Sequence, residues 1–325
     1  MRRVSLFKSS LLIVLSTVLV SCTGSGATLH ESSTIRRVDM IVKMNHGDFW
    51  KTVKMGAEVA AKEYNVDLKF KGPQNENDIE GQIQLMDESI KGKADAIILS
   101  ASDYMKLAQV TDRAAFYKIP VISMDSEVAS ARVKSFVGTN NYEAGQMAAE
   151  RLVMLTGEQG RIGVMNFVKG SKNGDEREEG FMDYIARYPD VRVVSVEYCE
   201  SDEQIARTLT RKMVAEHPEM NGIVALNEVA SIGTAEEIQK LGIGGRVKVI
   251  AFDSPDKVME LLQEGIVQAT VIQNPFNNGY LAVQQAVKAI EGDDIQERVD
   301  THTKMIDLDN MLWPENQKLL FPFVR

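Results

Sequence analysis

The chain has 325 residues, long enough for two domains of ordinary size, and its 44% hydrophobic and 26% charged residues are typical of a soluble globular protein rather than a disordered one. The formal net charge of −9 comes without an evident cluster of Lys and Arg. Nucleic acid is therefore not expected as a partner, because phosphate contacts need concentrated positive charge.

The N-terminus has the pattern of an export signal. Arg2, Arg3 and Lys8 precede an apolar segment, residues 11–20. This segment is too short for a permanent membrane span but fits a secretory signal peptide, which we place at residues 1–21. The pattern predicts an extracytoplasmic protein.

The signal ends in Leu19-Val20-Ser21-Cys22, which resembles the lipobox of bacterial lipoproteins, where cleavage before the cysteine leaves a lipidated residue. The resemblance implies a lipid anchor at Cys22 and a location at the cell membrane. Residues 22–36, which include small and polar residues, would form the tether. An ordinary signal peptide with a chance cysteine is the alternative.

Metal and cofactor chemistry has little support in the sequence. Cys199 is the only other cysteine, so the body can form neither an internal disulfide nor a cysteine metal site. The histidines lack close metal-ligand spacing, and there is no phosphate-binding loop or nucleophile elbow. We expect no metal and no cofactor.

From residue 37 onward, short apolar runs alternate with helical patterns. Strands are predicted over residues 38–42, 66–70, 94–99, 120–124 and 133–137, and then again over 161–166, 191–196, 223–226, 247–252 and 267–272. The first helix is predicted to place Phe49, Val53 and Ala60 on one face. The two series predict an α/β fold of two doubly wound, Rossmann-like lobes with parallel sheets.

Polar or aromatic side chains follow the strands of both series, and parallel strands present such residues at one sheet edge, where open α/β sheets bind ligands. The candidate ligand-binding residues are Lys43, Phe49, Trp50, Ser100, Asp125, Asp175, Asn227, Asp253 and Gln273. Each has a structural alternative: a polar residue after a strand can be a helix cap, Phe49 can be a core residue, and Lys43 can be a solvated lysine. The recurrence in both lobes favours a cleft between them.

The body, residues 38–324, resembles the periplasmic sugar-binding proteins of the ribose, galactose and xylose class. The stretches that carry the resemblance are Phe49-Trp50, residues 72–75, 119–125, 177–181, 217–218, 225–228, 251–253 and 270–273. It implies that Phe49 and Trp50 flank a sugar ring and that Asp125, Asn227, Asp253 and Gln273 bond its hydroxyls. Aromatic faces and directed carboxylates suit such a ligand.

The resemblance also implies a division of the chain. A first lobe of residues 37–138 and 274–300 and a second of 139–273 and 301–325 would be joined by a three-segment hinge that closes on the ligand. Asp175 departs from the pattern, because ribose-binding relatives carry an arginine there. Lys43 matches a lysine in relatives that bind the furanosyl autoinducer, and we expect it to bond a hydroxyl or to balance Asp125 or Asp175.

The resemblance implies a monomer that captures a sugar or polyol and delivers it to the permease of an ABC importer. The alternative is a subunit that senses a sugar or the furanosyl autoinducer and signals to a membrane histidine kinase or chemoreceptor. A glycosidase could use carboxylates of the same kind, but the resemblance favours binding without catalysis. A repressor of the lactose type is excluded because the export signal occupies the place of its DNA-binding helices.

Overall fold

The computed structural model describes residues 35–320. The strands are β1 Arg36–Ile41, β2 Val66–Lys71, β3 Ala96–Leu99, β4 Val121–Met124, β5 Ser135–Gly138, β6 Gly160–Asn166, β7 Val191–Tyr198, β8 Gly222–Ala225, β9 Lys248–Phe252, β10 Ala269–Ile272, β11 Arg298–Asp300 and β12 Lys304–Ile306. The helices are α1 Asp48–Glu63, α2 Ile79–Lys91, α3 Ala108–Phe116, α4 Asn141–Leu155, α5 Lys172–Ile185, α6 Glu203–Glu216, α7 Glu228–Lys240, α8 Asp256–Gln263, α9 Pro275–Glu291 and α10 Pro314–Leu320.

The strands form two six-stranded sheets, in the orders β11-β5-β4-β3-β1-β2 and β12-β10-β9-β8-β6-β7. All pairings are parallel except that of β12 with β10. We call each sheet with its helices a lobe. Because βαβ connections cover both faces of these sheets, their central strands are apolar and buried throughout, as β3 and β8 illustrate. The predicted fold class is confirmed.

The chain passes between the two sheets at three places. After β5 it enters α4, which packs on strands of the second sheet, and after β10 it returns in α9, which packs on β3, β4 and β5 of the first. The third passage lies between β11 and β12. Two lobes joined by a few connecting segments are an arrangement that permits hinge closure around a ligand.

Helix α9 is held to the first lobe by a very close crossing with α1. A Cβ atom on Gly56 would lie 1.9 Å from the Phe276 carbonyl oxygen, and one on Gly279 would lie 2.0 Å from the Val53 carbonyl oxygen. Glycine is needed at both positions, because any side chain would overlap backbone. A segment from late in the sequence thus completes the first lobe.

The buried face of α1 differs in detail from the predicted one. Trp50, Val53, Ala57 and Ala60 are buried and belong to the core of the first lobe. Phe49, predicted to lead this face, is only half-buried. The reason is helical phase, since adjacent residues lie about 100° apart around the axis. Within residues 35–320, no helix has both the length and the apolar character that crossing a membrane demands.

Candidate functional site

The two lobes present an aspartate at equivalent positions. Asp125 follows β4 and Asp253 follows β9, and each adopts a left-handed backbone conformation, with φ of 62° and 67°. Each backbone N–H still donates to the neighbouring strand, to the Val137 oxygen at 2.9 Å and to the Val271 oxygen at 2.8 Å. The left-handed turn comes directly after this ladder bond, so both buried carboxylates are fixed at the cleft between the sheets.

Neighbouring polar groups hold both carboxylates in place. Ser100 Oγ donates to Asp125 Oδ2 at 2.8 Å, and Gln273 Nε2 donates to Asp253 Oδ1 at 2.7 Å. Gln273 in turn accepts from Thr139 Oγ1 at 3.0 Å, beside a passage between the lobes. Burial raises the pKa of Asp253, while the charge of Arg177 opposes that rise. Two oriented acceptors thus face one cavity.

Arg177 is a fully buried cation in the wall of this cavity. Its Nη1 donates to the Leu226 carbonyl oxygen at 2.7 Å and its Nε to Asn141 Oδ1 at 3.0 Å, while its guanidinium lies 4.7 Å from the centre of the Phe252 ring. Burial lowers the pKa of this group. Nη2 is buried and has no partner within the part of the chain that the structure describes, so one donor of this cation remains unsatisfied.

Lys43 reaches across the cleft. Its Nζ donates to Ser171 Oγ and, at 2.8 Å, to Asn173 Oδ1 in the second lobe, and it forms a 3.0 Å ion pair with Glu76 Oε1 in its own lobe. The sequence predicts that Lys43 bonds a ligand hydroxyl or balances Asp125 or Asp175, and in the structure the carboxylate paired with it is Glu76. Two hydrogen bonds to the second lobe and an ion pair in its own lobe engage the ammonium group, so Lys43 acts as a bridge between the lobes.

Asn227 has both of the roles considered for it. Its Oδ1 accepts from the Ala230 N–H at 2.8 Å and caps α7, while its Nδ2 donates to Ser201 Oγ at 3.1 Å. The same side chain lines the cavity. The structural alternative and the binding role are therefore compatible, because a cap uses only one end of the amide.

Aromatic rings form another part of the cavity wall. Phe49 and Trp50 meet edge to face with ring centroids 5.0 Å apart, and Phe167 joins them from the second lobe. Sequence reasoning placed these neighbours on different faces of α1, and the structure has Trp50 in the core and Phe49 at the cleft. Both still line the cavity because α1 begins at its edge.

Two candidates do not line the cavity: Ser100 is buried behind Asp125, to which it donates, and Asp175 lies away from the site altogether. Asp175 is exposed on α5, and the cavity is lined instead by Asn173 and Arg177. Residues 173 and 177 are one turn apart and share a helix face, whereas residue 175 lies on the opposite side. Asn173 Nδ2 lies 3.3 Å from both carboxylate oxygens of Asp125, so it also bridges the lobes.

Sequence reasoning did not select four polar residues in the wall, which are Glu76, Asn173, Arg177 and Glu228. Two of them could have been identified from the sequence, because Glu228 directly follows Asn227 and Arg177 lies in a stretch that carries the family resemblance. Nothing in the sequence marks Asn173 or Glu76 as a site residue. The position of Asn173 depends on the phase of α5, and Glu76 lies in the loop between β2 and α2.

The assembled cavity is small and is lined largely by polar residues. Its volume is about 30 Å³, room for a few water molecules only, so even one sugar ring enters only when the lobes separate or the walls move. Fixed carboxylates, amides and a guanidinium alternate with aromatic faces, an arrangement that matches the hydroxyl rim and apolar faces of one sugar ring. Among residues 35–320 no group of His, Cys, Asp and Glu is arranged to hold a metal ion.

A comparison with protein families matches residues 38–294 to the model of the periplasmic binding protein domain. The match includes the first sheet up to α9 and most of the second. It therefore covers most of the chain and both walls of the cavity.

Individual relatives are similar over nearly their whole length. The D-ribose/D-allose-binding protein of Pseudomonas aeruginosa is 24% identical over 86% of this chain and 91% of its own. A solute-binding protein of a carbohydrate transporter from Agrobacterium radiobacter, solved with D-arabinose, is 29% identical with a TM-score of 0.86, covering 89% of this chain and all of that one. One from Agrobacterium vitis, solved with D-fucose, is 28% identical with a TM-score of 0.86, covering 87% and 99%.

Proposed function

This chain belongs to the periplasmic binding protein domain family, and on that premise we propose that it captures one small sugar or polyol between its lobes and delivers it to an ABC importer. The family implies an extracytoplasmic location, and its sugar-binding members serve transport and are not enzymes. The relatives named above do not favour the sensor alternative.

The observation that carries the proposal is the composition of the cavity wall. Two buried aspartates at equivalent strand ends, Asp125 and Asp253, face it from different lobes, and the unpartnered Nη2 of Arg177 supplies a donor. A neutral polyhydroxyl ring can satisfy acceptors and donors on both sides at once. An anionic sugar is disfavoured, because four carboxylates and only two cations line the cavity: Glu76, Asp125, Glu228 and Asp253 against Lys43 and Arg177.

The ligand contacts belong to two bodies that bend about the connecting segments. We assign residues 37–138 and 274–300 to one and residues 139–273 and 301–325 to the other. A ligand that touches both favours the closed arrangement, and the closed surface then reports occupancy to the permease. We infer that the protein acts as a monomer, as one cleft suffices for capture.

A panel of monosaccharides tests the function. D-ribose, D-allose, D-arabinose and D-fucose are compared with the sugar acid D-glucuronate by thermal shift. At about 100 times its dissociation constant, a bound sugar adds about 2.7 kcal/mol to the free energy of unfolding. We expect at least one neutral sugar to raise the melting temperature and D-glucuronate to leave it unchanged. No shift with any neutral sugar contradicts the proposed function.

We propose further that Cys22, which lies outside the described residues, carries a lipid anchor. Cys22→Ala is expected to abolish incorporation of labelled palmitate and release the protein from the membrane, because the lipidated atom is lost. Cys199→Ala is the control and should keep the label, since that thiol is buried in the body. Equal labelling of Cys22→Ala and the unaltered protein would show that the lipobox interpretation is wrong.

A further inference from the structure

A carboxylate of the second lobe is seated on the first helix of the other lobe. Glu228, the first residue of α7, accepts hydrogen bonds from two backbone N–H groups at the start of α1. Its Oε1 lies 2.9 Å from the Asp48 nitrogen and its Oε2 lies 2.7 Å from the Phe49 nitrogen. One side chain thus joins the lobes through both of its oxygens.

Helix α1 depends on this contact for its cap. Its N-cap residue is Gly47, which has no side chain to accept from the first turn, and its φ of 94° favours glycine. Helices α2, α4 and α6 are capped by residues of their own chain segment, Asp78, Asn140 and Asp202. The cap that α1 lacks locally comes from the facing lobe instead.

The contact also fixes part of the cavity wall. The Phe49 N–H that Glu228 holds belongs to the residue whose ring lies against the cavity. Glu228 therefore positions Phe49 relative to Asp253, which faces the same space from the second lobe. Any change at this carboxylate changes how the two walls meet.

The charges around Glu228 are mostly negative. Asp48 of α1 and Asp253 at the end of β9 face it directly, and the cavity on its inner side is also lined by Asp125, Glu76, Lys43 and Arg177. On the outer side lies a second cavity of about 560 Å³, whose charged lining residues are Asp48, Lys51, Asp253, Asp256 and Lys318. Glu228 lines both cavities, so a proton can reach it from the outer one.

When the cleft is closed, the surroundings of Glu228 disfavour the ionised form of its carboxylate. Burial, followed by repulsion from Asp253, raises the pKa of Glu228 to about 7 against the bonds from α1, which lower it. Separating the lobes returns the group to water, where a glutamate titrates near 4.5. A group whose pKa is higher in the closed state favours closing below its open value and loses that effect as the pH rises through about 7.

We propose that Glu228 is a positioning residue that completes the cap of α1 from the opposite lobe, and that capture of a sugar loads one proton onto its carboxylate. The proposal rests on the proposed function, since it requires that a sugar closes the cleft. Closing with an ionised Glu228 leaves two carboxylates, Glu228 and Asp253, facing each other in a buried site. The proton removes that repulsion.

Calorimetry on the full chain tests the coupling. The sugar of the panel that gives the largest thermal shift is titrated at about pH 6 in two buffers of different ionisation enthalpy, where uptake of close to one proton is expected. Its affinity should fall by on the order of tenfold between about pH 5.5 and about pH 8. Glu228→Gln keeps the shape and one acceptor but cannot titrate, so it should lose the uptake and most of the pH dependence.

Glu236→Gln is the matched control, because it makes the same change on α7 at a residue that pairs with Arg207 on α6. It should keep the wild-type pH profile. Binding with equal enthalpies in both buffers, or an unchanged profile in Glu228→Gln, overturns the proposal and leaves the proposed function standing. If no panel sugar binds, both the function and this inference are contradicted.

Discussion

Asp253→Asn is expected to weaken sugar binding by about 2 kcal/mol, or roughly thirtyfold, while the folded protein is preserved. The carboxylate is a buried acceptor, and a hydrogen bond to a charged group contributes more than one to a neutral amide. The amide is a poorer acceptor, and half of it is a donor that the bound hydroxyl must then face.

Asparagine is the informative substitution because of the backbone. Asp253 has a φ of 67°, which Asn tolerates better than Ala, and an amide oxygen can still accept from Gln273. Binding is measured by calorimetry and stability by denaturant unfolding. Asp190→Asn, on an exposed residue of the second lobe, is the control. Wild-type affinity in Asp253→Asn would remove this residue from the binding site.

Asn227→Ala provides a contrast, because the structure gives that residue two roles. It should weaken binding and also lower the free energy of unfolding by about 1 kcal/mol, since the α7 cap is lost. A loss of affinity without a loss of stability would mean that the cap contributes little. Comparing Asp253→Asn with Asn227→Ala therefore separates the binding role of a strand-end residue from its structural role.

The sequence allows strand ends to be located but not helix phase. Apolar runs fix where β4 and β9 stop, so the residues that follow them, Asp125 and Asp253, are found without a structure. Asp175 lies two residues from Asn173 and two from Arg177, and that offset alone turns it to the exposed side of α5. Hydrophobic periodicity shows which side of a helix is buried only where the helix contains apolar residues. The first turn of α5 has none, so the sequence does not show which of its residues faces the cavity.

Contacts between the lobes are the other part that sequence cannot supply. Lys43 meets Ser171, and Asp48 meets Glu228 at the start of α7, only because the sheets face each other. The two residues of each pair are far apart in the sequence, and they meet only when the lobes are closed against each other. The family resemblance identifies Lys43 as a candidate from the sequence alone, but it does not identify the partners of Lys43, which are Glu76, Ser171 and Asn173.

Lys43→Met is expected to weaken sugar binding more than Asp253→Asn does, because it removes the cation that bridges the closed cleft. Glu76 is buried, with 3% of its surface exposed, and when the lobes meet it would keep its charge without the ion-pair partner, retaining only the hydrogen bond from Ser201 Oγ. Removing one member of a buried ion pair costs about 3–5 kcal/mol, so sugar affinity should fall by roughly 100-fold or more. The substitution also removes the hydrogen bonds that Lys43 donates to Ser171 and Asn173 across the cleft.

The loss should appear in closure rather than in folding. In the open protein, Glu76 regains water and the penalty disappears, so Lys43→Met should keep its unfolding midpoint in the absence of sugar. Small-angle scattering should show a smaller radius of gyration with saturating sugar in the wild type and a blunted decrease in the variant. Lys54→Met, on the solvent-exposed face of α1, should contract as the wild type does. If a saturating sugar leaves the wild-type radius unchanged, or Lys43→Met binds and contracts normally, capture does not depend on a lysine bridge across a closing cleft.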